Sequence, residues 1–206
     1  DRMIDLRSDT LTLPDKEMLD TILSAKLGDD GRVDEYGRGE DKTVNELEDL
    51  AAELTGKEAA MLVPSGTFGN SLVGFSLCNP GDSILVDEKQ HMLRTEKVLF
   101  DKRYGRMNPV IYKMNKNMTP DLDMIDELLN ASGAKLICIE NTHNSLGGYY
   151  IPVEELGKIR KIADRYGAKI HMDGARVFHA AAALDVEVRE IAQYVDSLMF
   201  CLSKGL

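Results

Sequence analysis

Tryptophan is absent, and the 206 residues include only three cysteines, six prolines, seven tyrosines and five phenylalanines. Cys78, Cys138 and Cys201 are odd in number, far apart and each set in an apolar run. That pattern excludes a disulfide framework and offers no zinc-ligand spacing, so the thiols read as buried and no metal site is expected. No run approaches the roughly 20 apolar residues of a membrane span, and DRMIDLRSDT at the start has neither an apolar h-region nor a small-residue cleavage site. The expectation is a cytoplasmic protein without a membrane partner. Basic residues are in deficit, with 25 Lys and Arg against 35 Asp and Glu for a net charge of −10. Such a field repels phosphate backbones, so no nucleic-acid partner is expected. What is present is an ordinary globular composition, 43% hydrophobic and 29% charged, with enough apolar surface to build a core.

No internal repeat of about 20 to 50 residues or low-complexity tract interrupts the chain. Its one loop-like stretch runs from Gly28 to Asp41 and separates two expected helices. The first begins at Pro14 and carries Met18, Ile22 and Leu23; the second begins at Thr43, where Thr43 and Glu46 match a capping box. Residues 1–45 are therefore expected to form an N-terminal helical segment with a loop, and 46–206 one large domain. In that domain EAAMLV, DSILVD, NPVIY, AKLICIE, AKIHM and VDSLMFC are apolar runs of strand length, alternating with helical patterns or turns. Continuous rather than alternating polarity marks strands buried on both faces by crossover helices, so the fold class is α/β with a mostly parallel central sheet. Helices are expected after Pro120 and Pro152, the latter closed by Gly167.

Parallel strands deliver their C-terminal residues to one edge, where groups distant in sequence can meet. PSGTFGN after EAAMLV brings Ser65, Gly66 and Thr67 to a turn that opens a helix, a place where backbone N–H groups and hydroxyls suit a phosphate. Asp173 follows AKIHM, and Lys204 follows VDSLMFC, with 31 residues between them for a helical connection and a further strand. An amine, an acid and a phosphate cradle match the needs of pyridoxal 5′-phosphate (PLP), whose aldehyde condenses with a lysine and whose ring nitrogen needs an anionic partner. An ordinary nucleotide site would use the same cradle, and each element alone has a plain structural reading as a helix cap, a turn residue or a surface lysine.

Taken in order, DLRSDT, TVNELE, PSGTFGN, HMLRTE, IENTHN with Gly147 and Gly148, DGAR and CLSKG resemble the threonine aldolases of the β-eliminating lyase group over nearly the whole chain. The resemblance implies the large domain of a PLP-dependent transferase-like fold, a homo-oligomer (dimer or tetramer), and cleavage of small β-hydroxy-α-amino acids such as L-threonine or L-allo-threonine to glycine and an aldehyde. It implies that Lys204 carries the cofactor as a Schiff base, that Asp173 pairs with its ring nitrogen, and that Gly66 and Thr67, beside Ser65, hold its phosphate. His91 would lie against the ring, and Arg176 would bind the substrate carboxylate with Ser8 as well as belonging to the cofactor site. Glu96 and Asn141 would lend supporting hydrogen bonds. Many members carry a histidine where Asn130 stands here, and an amide cannot act as a base. His91 is thus the first candidate for the β-hydroxyl proton and His143 the second, while His171 and His179 read as structural. The GDDGRVDEYGRGEDKTVN stretch is several residues longer than the family's usual form, and the family's C-terminal small domain is expected to be missing after Leu206. β-Elimination, racemisation or a non-catalytic PLP-binding role are the alternative expectations.

Overall fold

A computed structural model describes residues 4–205; the outermost parts of both expected segments, 1–3 and 206, lie outside the described residues. The chain forms two compact units, one of residues 1–62 with 202–206 and one of residues 63–201. The boundary expected at 45/46 falls inside a helix of the first unit.

The first unit holds a short 3-10 turn (Asp9–Leu11), α1 (Lys16–Ser24) and α2 (Lys42–Thr55). Both helices start at an aspartate rather than where the sequence suggests. Asp15 accepts from the Met18 N–H and Asp41 from the Val44 N–H, each satisfying an orphan donor of the first turn. The Thr43–Glu46 capping box does not form, because the Thr43 hydroxyl is engaged with the Lys26 backbone, accepting from its N–H and donating to its C=O. The run EAAMLV is not a strand. The Leu62 N–H donates to Glu48 Oε1 at 2.8 Å instead of a ladder, and Met61 and Leu62 are exposed rather than buried between layers.

The second unit is a five-stranded sheet in the order β2-β1-β3-β4-β5, with every pair parallel. Its strands are β1 (Ser83–Asp87), β2 (Asn108–Tyr112), β3 (Leu136–Glu140), β4 (Lys169–Asp173) and β5 (Ser197–Met199). All five coincide with runs read as strands. The helices are α3 (Gly66–Leu77), α4 (Leu122–Ser132), α5 (Val153–Tyr166), α6 (Val177–Leu184) and α7 (Val188–Ala192). Gly167 ends α5 at φ 65°, a left-handed position where a side chain would be strained.

Alternation along the strands divides the core into two layers. Leu85, Ile137, Ile139, Ile170 and Met172 face one side and pack with buried residues of α4 to α7, including Leu129, Leu156, Ile159 and Val177. Ile84, Val86, Leu136 and Cys138 face the other, with Met92, Leu99 and Met107. On that second face β4 and β5 present polar residues, with His171 opposite Ser197 and Asp173 opposite Met199 in register. Among the described residues no helix is long and apolar enough to cross a membrane.

Candidate active site

The helix α3 covers this polar patch. Ser65 caps it, its hydroxyl accepting from the Phe68 N–H at 3.1 Å, so the Gly66 and Thr67 N–H groups lie outside the helix's own ladder. Packing is close at Gly66: a Cβ there would lie 3.0 Å from Cys201 Sγ and 3.1 Å from Met199 Sδ, so those side chains would have to give by a few tenths of an ångström. A Cβ on Gly69 would meet Met199 Cγ at 2.9 Å. The start of α3 is thereby seated at the C-terminal end of β5, and the next residue, Asn70, is fully buried against β4.

Asn70 is the junction of the site. Its Nδ2 donates to Asp173 Oδ2 at 2.9 Å and to Glu96 Oε1 at 3.0 Å, while its Oδ1 faces His171 Nε2 at 2.9 Å. His171 Nδ1 in turn lies 2.9 Å from Ser197 Oγ. Burial pushes His171 down to about 4, so the ring is neutral at ordinary pH. His91, reached directly after β1, places Nδ1 2.9 Å from Glu96 Oε1, and its backbone N–H donates to Glu140 Oε2 at 2.8 Å. Glu140 Oε1 accepts from the Asn144 N–H at 2.8 Å, tying the β1 loop to the β3 loop.

Asp173 ends β4 at 3% exposure. Burial first, then the charges of Glu140 and Glu96, push its carboxyl up to about 6, against the opposite pull of the Ala175 N–H and Asn70 Nδ2 hydrogen bonds. Ligand atoms of His91, Glu96 and Asp173 lie within 4.8 Å of one another. The site therefore gathers negative charge around one buried carboxylate. Beside it, Asn141 hydrogen-bonds through its N–H to the Asp173 carbonyl at 2.9 Å, and its side-chain Nδ2 is buried with no partner.

Of the residues singled out in sequence, Asp173, His91, Ser65, Gly66, Thr67, Arg176, Asn141, Glu96 and His143 belong to the second unit, and Lys204 and Ser8 to the first. Arg176 caps α6 three residues after Asp173 and is half-buried. His143 is 1% exposed, with Nε2 2.9 Å from Asp87 Oδ2 and Nδ1 buried without a partner. Within the first unit, the Gly205 N–H donates to the Asp9 carbonyl at 3.1 Å, which ties the residue after Lys204 to the residue after Ser8. His179 is exposed on α6. Sequence reasoning gave no role to Asn70, Glu140 or Ser197 and read His171 as merely structural. The first two stand inside the motifs PSGTFGN and IENTHN, whereas Ser197 and His171 are linked only by strand register.

The model of the family described as β-eliminating lyase matches residues 5–206. The Escherichia coli K12 protein named low specificity L-threonine aldolase is 38% identical over 213 residues, an alignment covering 99% of this chain and 60% of that protein. The Arabidopsis thaliana low-specificity L-threonine aldolase 1 is 37% identical over 213 residues, covering 100% of this chain and 58% of the relative. Among solved structures, the Leishmania major threonine aldolase superposes with a TM-score of 0.73 at 18% identity, over 92% of this chain and 55% of that one, a likeness of fold. The chain thus spans little more than half the length of these relatives. With its parallel sheet and its motifs at the strand ends, the chain belongs to the β-eliminating lyase family.

Proposed function

We propose that the full-length protein is a PLP-dependent lyase that cleaves L-threonine, L-allo-threonine or a related β-hydroxy-α-amino acid to glycine and an aldehyde. The observation that carries this reading is Asp173: a carboxylate 3% exposed, crowded by Glu96 and Glu140, with amide donors but no cation on either oxygen among the described residues. A protonated ring nitrogen is the charge such a pocket accepts. The unpartnered Nδ2 of Asn141 supplies a buried donor for a polar ligand, and the first-turn N–H groups of α3 suit a phosphate. The residues present fit the cofactor.

When bound, PLP supplies the sink for the electron pair released as a bond to the amino-acid Cα breaks. Asp173 would hold the ring-nitrogen proton. Ser65, Gly66 and Thr67 would bind the phosphate, and the Lys204 amine would anchor the aldehyde. Arg176, whose guanidinium fork matches a carboxylate, and Ser8 would orient the amino acid. With Glu96 accepting the proton on Nδ1, His91 leaves Nε2 bare to take the β-hydroxyl proton, and its side chain is 39% exposed. His143, sealed at 1% exposure against Asp87, is less suited to that task. The same reading carries a cytoplasmic homo-oligomer, dimer or tetramer, with a small amino acid as its partner.

Incubation of the full-length protein with PLP and L-threonine or L-allo-threonine should give glycine and acetaldehyde, and Lys204→Ala should abolish both products. Pyruvate and ammonia from serine without any glycine would replace cleavage by elimination. Failure to release glycine from any β-hydroxy amino acid would overturn the proposal.

A further inference from the structure

The buried polar chain behind Asp173 has a direction that the hydrogen-bond inventory of its members dictates. Both donors of the Asn70 amide meet carboxylate oxygens, at 2.9 Å on Asp173 and 3.0 Å on Glu96. The opposite amide orientation would set a carbonyl oxygen against two carboxylates, so Oδ1 must be the atom facing His171. His171 Nε2, 2.9 Å away, must then carry a hydrogen. A neutral ring protonated at Nε2 has a bare Nδ1, which at 2.9 Å accepts from the Ser197 hydroxyl; the Ser197 backbone, also beside the ring, pulls weakly toward the charged form against the larger effect of burial. Every hydrogen bond therefore points the same way, from Ser197 through His171 and Asn70 to Asp173 and Glu96. Register builds the chain: Ser197 and His171 are opposite each other on β5 and β4, His171 and Asp173 share a face two residues apart, and the seat of α3 on Met199 brings Asn70 down between them.

We infer that Asn70, oriented by His171 and Ser197, is a positioning residue that keeps the Asp173 carboxylate ionised and aimed at a cationic ring nitrogen. Asn70 Nδ2 donates to the charged form of Asp173, which offsets the burial and the neighbouring carboxylates that disfavour it. The Nε2–H of His171 holds the amide oxygen turned away from the two carboxylates, and the Ser197 hydroxyl, donating to Nδ1, supports the tautomer that does so. The charged groups facing Asp173 are Glu96 and Glu140, with His91 held to Glu96.

This inference rests on the PLP reading, and the test separates the two. Affinities of the full-length protein are measured for PLP and for the analogue whose ring nitrogen is replaced by C–H, in wild type and in Asn70→Ala, Ser197→Ala and Ser197→Thr. Loss of a hydrogen bond to a charged group should narrow the preference for PLP over the analogue about tenfold in Asn70→Ala, less in Ser197→Ala, and not in Ser197→Thr, which keeps the hydroxyl. A purely structural role would weaken both ligands equally, and that result, or an unchanged preference in Asn70→Ala, overturns the inference. A wild type with no preference between the two ligands overturns the assignment of Asp173 itself. Should Asn70→Ala not fold, the two Ser197 variants decide by the same criterion. Independently, ¹⁵N NMR of the cofactor-free protein at neutral pH should find His171 neutral with its hydrogen on Nε2; the other tautomer, or an imidazolium, overturns the chain.

Discussion

The β1 and β4 strands both end in a buried aspartate near a buried histidine, yet the two arrangements are chemically opposite. Asp87 and His143, at 2% and 1% exposure, meet directly through a 2.9 Å contact, and Asp87 also accepts from the Lys89 N–H. Asp173 and His171 share no hydrogen bond; the Asn70 amide stands between them and gives the carboxylate an uncharged donor. By strand alternation Asp87 belongs to the face packed by α4 to α7, and Asp173 to the face under α3. The first pair gives its aspartate an imidazole partner, although His143 Nδ1 is left without one, while in the second no cationic side chain hydrogen-bonds the carboxylate among the described residues. A fold keeps such an arrangement where an external cation completes it.

The contrast can be broken from either side. Asp173→Ala should remove the charge partner of the ring nitrogen and lower glycine formation by roughly a hundred- to a thousandfold, with little loss of thermal stability, as activity assays and calorimetry would read. Asp87→Ala should do the reverse in stability, costing about 3 kcal/mol in urea unfolding because His143 is left buried with neither nitrogen partnered. Equal effects of the two substitutions on stability would erase the distinction.

Acid should sharpen it further. His171 titrates at about 4 in the fold against 6.5 for an unperturbed imidazole, so the unfolded chain takes up a proton first and stability is lost as pH falls from 6.5 to 4. Asp173 works in the opposite sense. Its folded carboxyl, at about 6, binds a proton before the unfolded one does, so its burial penalty is relieved as pH falls from 6 toward 4. Asp173→Asn removes that relief and should steepen the acid loss by on the order of 2 kcal/mol between pH 6 and pH 4, measured by urea midpoints across that range. The smallest expected effect is Ser65→Ala, which deletes the cap of the helix that carries Asn70. It should cost about 1 kcal/mol of stability and weaken PLP binding severalfold.

Much of this fold was readable because its strands are buried on both faces. Runs such as LICIE and SILVD, five apolar-rich residues between turns, suit a sandwiched strand by length and β-branched content, and Gly167 marks its helix end by a backbone angle that favours glycine. EAAMLV misled for the same reason: an apolar run states a wish for burial, and pairing depends on neighbours it cannot name. The capping aspartates were missed because Asp41 and Thr43 are equally suited to start α2, and the Lys26 backbone claims the threonine. In the site, Asp173 and Gly66 announced themselves by position after a strand or before a helix. Asn70 lay within a quoted motif without a role, and Ser197 carried no signal at all.

Sequence alone determined the parallel α/β scaffold, the residue types gathered at its strand ends and the resemblance of its motifs to a lyase family, since these depend on local periodicity and on short linear patterns. Only the tertiary structure decided which imidazole is tied to which carboxylate and that an amide from α3 stands between Asp173 and His171. Those pairings depend on strand register, on which face of the sheet each side chain leaves, and on a helix seated within ångströms of Met199, none of which leaves a linear trace.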